Sequence, residues 1–161
     1  MLTFAQYVEG GIVYTWVNSI AWLWPLLETL HFVGLSVLLG GLIVIDTRMA
    51  GFFRGLNIAA THKMLPWVFI GFGTSLTTGV LFFFGDPMRY AVNWGFRVKM
   101  ILLLVAALNA LWFWVRLNKA MHSWQPHADT STEAKVVAWV SLVSWTGVLL
   151  FGRLIPYVGT G

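Results

Sequence analysis

Two side chains that can carry a proton or bind a metal lie close together inside a long apolar stretch near the start of this chain. Glu28 and His31 are three residues apart, and the hydrophobic residues around them continue up to Asp46. In a helix this spacing puts both side chains on one face. An imidazole and a carboxylate at membrane depth cost free energy, so they usually face a partner, a cofactor or a polar path. We therefore expect any functional site to be built around that face.

The composition is that of a membrane protein. The chain has 161 residues, of which 58% are hydrophobic and 10% are charged, whereas soluble domains carry about 25% charged residues. Four apolar stretches approach the ~20 residues that a helix needs to cross hydrocarbon; they cover residues 22–45, 65–84, 97–117 and 135–156. Backbone groups at that depth must be satisfied internally, which favours helices. The sequence predicts an all-α fold: one domain, 1–161, forming a four-helix transmembrane bundle in the lipid bilayer.

The residues before the first span predict a short helix at the membrane surface. Residues 3–20 mix apolar and aromatic side chains with Gln6, Glu9 and Asn18. The pair Gly10-Gly11 interrupts this segment. Aromatic residues are enriched at membrane–water interfaces, and amphipathic helices lie in that plane. We expect a short N-terminal interfacial helix.

The basic residues are distributed unequally between the loops. Residues 46–64 and 116–135 each hold three Lys or Arg residues, whereas residues 1–21 hold none. By the positive-inside rule, these two loops face the cytoplasm and both termini lie outside, in the periplasm of a Gram-negative host. The basic residues lie at helix ends, where orientation signals belong, so the net charge of +4 does not indicate a nucleic-acid partner.

Several kinds of chemistry are excluded by what the chain lacks. It has no cysteine, which excludes covalently attached haem, iron–sulfur clusters and thiol catalysis. We find no phosphate-binding loop, dinucleotide fingerprint or nucleophile elbow. The Glu28-x-x-His31 pair occurs once, whereas diiron sites need it twice with further glutamates. No catalytic residue is predicted, and non-covalent haem, a His-ligated metal and a quinone stay open.

Three charged side chains from three spans are expected at nearly the same depth. Counting about 1.5 Å per residue along four antiparallel helices puts Glu28, Lys99 and Arg153 each about one turn inside the same end. A Glu28–Arg153 ion pair with Lys99 near would offset most of the cost of burying them. The surplus positive charge would suit haem propionates or a quinone carbonyl; plain structural support is the alternative.

His31 lies one turn deeper, and we expect Asn109 and Thr78 near its level. An imidazole that binds a metal normally donates its other N–H to a second group, for which Glu28, Asn109 or a helix carbonyl are candidates. We predict His31 as a metal ligand and haem b as the cofactor, with a quinone as the alternative. The predicted cofactor-binding residues are His31, Glu28, Lys99, Asn109 and Arg153.

The other histidines are weaker candidates. His62 starts the second span, roughly 15 Å in depth from His31, and two axial ligands of one haem lie at similar depths. We expect His62 to be a capping or interfacial residue, or part of a separate site with His122 and His127. Those two are five residues apart in a polar loop, which is a poor metal-binding pattern.

A combination of short motifs between residues 22 and 157 resembles a known family. The matching elements are Pro25, Glu28-Thr29-Leu30-His31, Gly40, Asp46, Arg48, Leu65-Pro66-Trp67, Phe96-Arg97-Val98-Lys99, Asn109 and Gly152-Arg153-Leu154-Ile155-Pro156-Tyr157. The chain resembles bacterial four-helix inner-membrane proteins of unknown function, and distantly the haem-binding and copper-resistance families, in which an early-helix His and a later Lys recur. The resemblance implies a bacterial inner-membrane location. Relatives often have a His where this chain has Trp114, so a two-histidine haem is not implied.

Three functions are compatible with these features. The first is a small b-type haem protein that passes electrons between quinol and an outside acceptor. The second is a haem-free proton or ion relay through Glu28, His31 and Arg153. The third is an accessory subunit of a larger membrane complex, docked through its aromatic surface. Four helices enclose little volume, so we expect a homo-oligomer or a larger membrane complex in each case.

Overall fold

The structure is a computed structural model and describes residues 2–56, 61, 63–121 and 129–158. Helices form all the regular secondary structure in this part of the chain. A π-helical turn, Phe113–Leu117, joins two of them. In chain order the helices are α1 (Leu2–Val8), α2 (Ile12–Ser19), α3 (Leu23–Met49), α4 (Leu65–Gly85), α5 (Pro87–Val92), α6 (Trp94–Trp112), α7 (Asn118–Met121) and α8 (Thr132–Leu154).

Four of these segments are long and apolar enough to cross a membrane, which confirms the predicted four-helix bundle. They are α3, α4, α6 with the π-helical turn, and α8. The first span continues to Met49, beyond its predicted end at residue 45. Arg48, expected in a loop, is instead a fully buried helix residue whose Nε donates to the carbonyl oxygen of Leu56 at 2.9 Å.

The four spans are antiparallel, so their ends define two sides of the bundle. We use "His31 end" for the side where α3 and α6 begin and α4 and α8 end, and "Asp46 end" for the other. Two hairpin-like pairs, α3 with α4 and α6 with α8, pack together through α3 and α8. The main apolar core lies toward the Asp46 end and includes Leu38, Ile45, Met49, Val68 and Phe113.

Small residues let α3 and α4 approach closely. A Cβ atom added at Gly71 would lie 2.6 Å from the backbone nitrogen of Leu38 and 2.7 Å from the carbonyl oxygen of Gly34. Membrane helices commonly use such small residues at tight crossings. This contact fixes α3 against α4 and thereby sets the position of His31 relative to α4.

Replacing Gly71 by alanine is expected to destabilise the α3–α4 pair, because backbone atoms that a new Cβ meets must move apart. Overpacking of this kind costs about 1–3 kcal/mol. The matched control is Gly73→Ala, since a Cβ there meets nothing within 4 Å. Thermal unfolding in detergent should show a lower midpoint for Gly71→Ala than for Gly73→Ala; equal midpoints would contradict the close contact.

The N-terminal segment differs from the single helix expected over residues 3–20. It forms two helices, α1 and α2, because Gly10 takes a left-handed conformation with φ of 81° and ends the first. Asn18 of α2 donates from Nδ2 to the carbonyl oxygen of Gly85 at 2.9 Å. This bond ties α2 to the end of α4.

Short connections at both ends are held by polar caps. The Ser131 hydroxyl accepts from the backbone N–H of Ala134 at 3.2 Å and so caps the start of α8. At the His31 end, buried Asn93 accepts from the N–H of Phe96 and donates to the carbonyl oxygens of Ile155 and Val158. These bonds fasten the chain after α8 to the start of α6.

Candidate functional site

Four of the five predicted cofactor-binding residues line one cavity at the His31 end. The cavity has a volume of about 390 Å³, within the range of about 300–1,000 Å³ typical of small-molecule pockets. Glu28 and His31 reach it from α3, Lys99 from α6 and Arg153 from α8. Three separate helices therefore deliver these side chains to one place, at the level that helix rise predicts.

The imidazole of His31 is held by a hydroxyl from the neighbouring helix. Its Nδ1 atom lies 2.7 Å from Oγ1 of Thr78, a buried residue of α4. That hydroxyl also lies 2.8 Å from the carbonyl oxygen of Thr74, to which it donates. A hydroxyl has a single hydrogen, so with that hydrogen on Thr74 we assign the tautomer in which Thr78 accepts from Nδ1–H of His31. In this tautomer Nε2 is the unprotonated nitrogen.

The His31 imidazole also lies within hydrogen-bonding reach of the Ser75 backbone, and no hydrogen bond to its Nε2 atom is seen among the described residues. The ring packs edge-on against Phe82, with centroids 5.4 Å apart, and its Cε1 atom lies against Gly79. An imidazole whose Nδ1–H is bound to a second group and whose Nε2 is free has the arrangement found in metal-ligating histidines. His31 can therefore accept a proton from a ligand or coordinate a metal.

Lys99 brings a positive charge to the cavity and forms no ion pair with Glu28, the carboxylate that lines the same cavity. Its ammonium makes no hydrogen bond or ion pair with any residue that the structure describes, and it lies beside Gly152, where a Cβ would be 3.5 Å from Nζ. A charge in an apolar setting is costly unless a counter-charge neutralises it. An anionic group of a ligand would supply that counter-charge.

The expected ion pair between Glu28 and Arg153 is wrong. The Glu28 carboxylate instead accepts from Nε1 of Trp24 at 3.1 Å, one turn earlier on the same helix. The Arg153 guanidinium lies over the ring of Tyr157, 5.6 Å from its centroid. Both side chains are exposed at the rim, so solvation removes much of the need for them to pair. Arg153 thus keeps its hydrogen-bond donors for a ligand.

Two ionisable lining residues, Arg89 and Tyr90, were not among the predicted site residues. They belong to α5, in the segment between the second and third predicted spans. Asp86 followed by Pro87 is a helix-start signal that could have revealed it, and the Asp86 side chain indeed accepts from the N–H of Arg89. Burial raises the pKa of the Tyr90 phenol to about 12. Tyr90 therefore remains a neutral hydrogen-bond donor at physiological pH.

Asn109 does not belong to this cavity. Its Nδ2 donates to the carbonyl oxygen of Val137 at 3.0 Å. Val137 precedes Val148, the first residue of α8 that lines the cavity, by 11 residues, which is about 16 Å of helix. The amide is used to join α6 to α8 toward the Asp46 end, and its expected place beside His31 is wrong. Thr78, expected at the same level, does contact His31.

No group of three or more His, Asp or Glu residues that could hold a bare metal ion occurs in the described residues. His62, His122 and His127 lie outside the described residues.

Comparison with known protein families, with curated proteins and with solved structures gives no match for this chain. The assignment of a function therefore depends on the geometry of the cavity.

Proposed function

We propose that the protein binds a b-type haem in the cavity at the His31 end and passes electrons between quinol and an acceptor outside the membrane. One observation carries the proposal: His31 presents a free Nε2, with its Nδ1 bound to Thr78, beside the uncompensated charge of Lys99. A basic, oriented imidazole and an unpaired cation at one cavity match the iron and the propionates of a haem.

The donor set fits this group. Haem brings four ligands of its own, so one histidine is enough to anchor the iron. Its propionates need cations, for which Lys99 and Arg153 are placed at the cavity and its rim. Its macrocycle needs an apolar wall, which Leu35, Phe82 and Val148 provide. When bound, haem supplies a one-electron couple whose potential depends on axial ligation, hydrogen bonds and burial.

The residues of this chain have separate tasks in the proposal. Thr78 fixes the orientation and tautomer of His31, while Lys99 and Arg153 bind carboxylates. Glu28, held by Trp24, brings a carboxylate to the rim. Among the described residues that line the cavity, His31 is the one that would hold the iron.

Access from the bilayer follows from the exposed apolar residues of the cavity wall. Phe32 of α3 and Leu150 of α8 line the cavity, yet each exposes more than half of its surface. A lipophilic quinol can reach such a rim without leaving the membrane. We propose that the chain lies in a bacterial inner membrane with both termini outside, as a homo-oligomer or part of a larger membrane complex.

Reduction by a quinol tests the electron-transfer part of the proposal. The haem-loaded protein in detergent is mixed anaerobically with decylubiquinol, and the visible spectrum is followed over time. We expect the reduced b-type spectrum to develop, faster than in a sample of free haem in the same detergent. A haem-loaded protein that dithionite reduces but the quinol does not would contradict the proposed donor.

Thr78→Val is expected to weaken haem binding, because the isosteric side chain leaves the Nδ1–H of His31 without an acceptor. Loss of such a supporting bond typically reduces metal affinity about 10- to 100-fold. Thr78→Ser keeps the hydroxyl and should bind like the native protein. The exposed neighbour Thr77→Val is the matched control. Haem titrations with identical affinities for Thr78→Val and Thr77→Val would contradict this role.

A further inference from the structure

One oxygen of the Glu28 carboxylate is available to a ligand at the rim of the cavity. Oε1 accepts from Nε1 of Trp24 at 3.1 Å, whereas Oε2 has no hydrogen bond or ion pair among the described residues. The side chain is exposed and lines the cavity, three residues before His31 on the same helix. An ionised carboxylate acts only as an acceptor. Oε2 can therefore accept from a hydroxyl of a bound ligand.

The described cations that line the cavity form no ion pair with Glu28. Arg89 pairs with Asp86 instead, with Nη1 3.7 Å from Oδ2. Arg153 lies over an aromatic ring, and Lys99 lies beside a glycine of α8. Without a bound cation, the carboxylate stays open to a hydroxyl that enters the rim.

A neutral hydrogen-bond donor lies close to this carboxylate. The Tyr90 phenol of α5 lines the same cavity, and its hydroxyl forms no hydrogen bond with the described residues. Burial raises the pKa of the Tyr90 phenol to about 12, and the charge of Glu28 adds to this rise, so the two groups are neighbours. The rim thus offers a ligand one acceptor, Glu28, and one donor, Tyr90.

One wall of the cavity is aromatic from the rim to His31. Trp24, which binds Glu28, packs on Phe82 with ring centroids 5.3 Å apart, and His31 packs on the same Phe82 at 5.4 Å. Phe32 lines the cavity too and exposes 54% of its surface, so the wall is open toward the bilayer. Flat rings stack favourably on aromatic side chains. A planar ring from the bilayer can therefore lie along this wall between Glu28 and His31.

We propose that Glu28 is the base that takes up the protons of the quinol as it is oxidised. This role rests on the proposed function, from which it takes the oxidant, a ferric haem at His31. In each step the O–H bond of one quinol hydroxyl breaks, its proton passes to Oε2 of Glu28, and one electron passes to the iron. Glu28 then releases the proton to the solution at the His31 end, and the electron leaves to the outside acceptor. Two such steps turn the quinol into a quinone, with two protons and two electrons released.

Removal of this base is expected to slow quinol oxidation strongly. A quinol hydroxyl becomes strongly acidic once the ring loses an electron, so proton and electron leave together most easily when a base is within hydrogen-bond reach. A positioned base typically accelerates a reaction about 10²–10⁴-fold. Water at the exposed rim can replace Glu28 in part, so we expect a loss of about 100-fold, at the lower end of this range.

The test is anaerobic stopped-flow mixing of the haem-loaded, full-length protein with decylubiquinol in detergent. Glu28→Gln keeps the size of the side chain and the oxygen that accepts from Trp24, but it cannot take up a proton. We expect this variant to have the native visible spectrum, the native rate of reduction by dithionite, and a limiting rate at saturating quinol that is about 100-fold lower. Glu9→Gln is the matched control and should keep the native rate, because Glu9 is an exposed carboxylate that lines a different cavity.

A pH series separates a proton acceptor from a structural role. The limiting rate of the native protein should fall in acid, because a carboxyl group that already carries a proton cannot accept another. Glu28→Gln should lack this fall. The other ionisable groups of the described cavity lining are the same in both proteins and contribute equally to both profiles; they are His31, Arg89, Tyr90, Lys99 and Arg153.

A native limiting rate in Glu28→Gln, or the same fall in acid in both proteins, would overturn the role of Glu28 and leave the haem proposal intact. A colourless native protein would overturn the haem proposal and this role with it. If Glu28→Gln takes up no haem, Glu28→Asp replaces it, because this variant keeps a carboxylate but draws it back by one methylene. A slower limiting rate in Glu28→Asp that still falls in acid supports the role, and an unchanged rate overturns it.

Discussion

Replacing His31 by alanine is expected to abolish haem binding, so that the purified variant has no absorption band in the visible region. No other histidine lines the described cavity, and the propionate contacts alone leave the iron without a protein ligand. The spectrum of detergent-purified His31→Ala, scaled to protein concentration, is the measurement. His62→Ala serves as the histidine control and should retain the native spectrum.

The same site offers a rescue experiment that separates ligation from folding. His31→Gly leaves space where the imidazole stood, and added imidazole can occupy it next to Thr78. Recovery of the haem spectrum in imidazole identifies the ring as the missing ligand. A His31→Ala variant that keeps native absorption per mole of protein would contradict the assignment of His31.

Replacing Lys99 by methionine is expected to weaken haem binding and leave the empty protein at least as stable as the native one. A hydrogen bond to a charged group contributes about 1.5–3 kcal/mol, which corresponds to about 10- to 100-fold in affinity. In the empty protein the Lys99 charge has no partner among the described residues, and removing an uncompensated charge is stabilising or neutral. A loss of haem affinity without a loss of stability in the haem-free protein would show that Lys99 contacts the ligand and does not support the fold.

Haem titration and thermal unfolding of the haem-free protein measure these two effects. Arg97→Gln is the matched control, because Arg97 is exposed on the same helix two residues earlier and does not line the cavity. Unchanged affinity in Lys99→Met would contradict its proposed contact with a propionate. Lower stability of the haem-free Lys99→Met variant would show that the charge supports the fold instead.

The four spans could be predicted from the sequence because each helix is determined by the residues of its own apolar stretch. Each long apolar stretch must form a helix to satisfy its own backbone in lipid, so the four spans were predictable without knowledge of their packing. Helix rise then predicted that Glu28, Lys99 and Arg153 would share a level. The residues at which the helices end were less predictable. The span through Asp46 and Arg48 continues because Arg48 caps a carbonyl of the following loop, a tertiary contact that hydropathy does not contain.

The partners of the site residues could not be predicted, because they depend on side-chain direction. Glu28 and Arg153 share a level, yet each contacts an aromatic residue of its own chain segment instead of the other. Asn109 contacts α8 far from the cavity, although its position near the middle of a span suggested otherwise.

The most direct test of the central claim is a dithionite-reduced minus oxidised visible spectrum of the native protein, purified in detergent from haem-replete cells. The account predicts a b-type difference spectrum, with bound haem in near-stoichiometric amount to protein. A colourless native protein that also fails to take up added haem would contradict it.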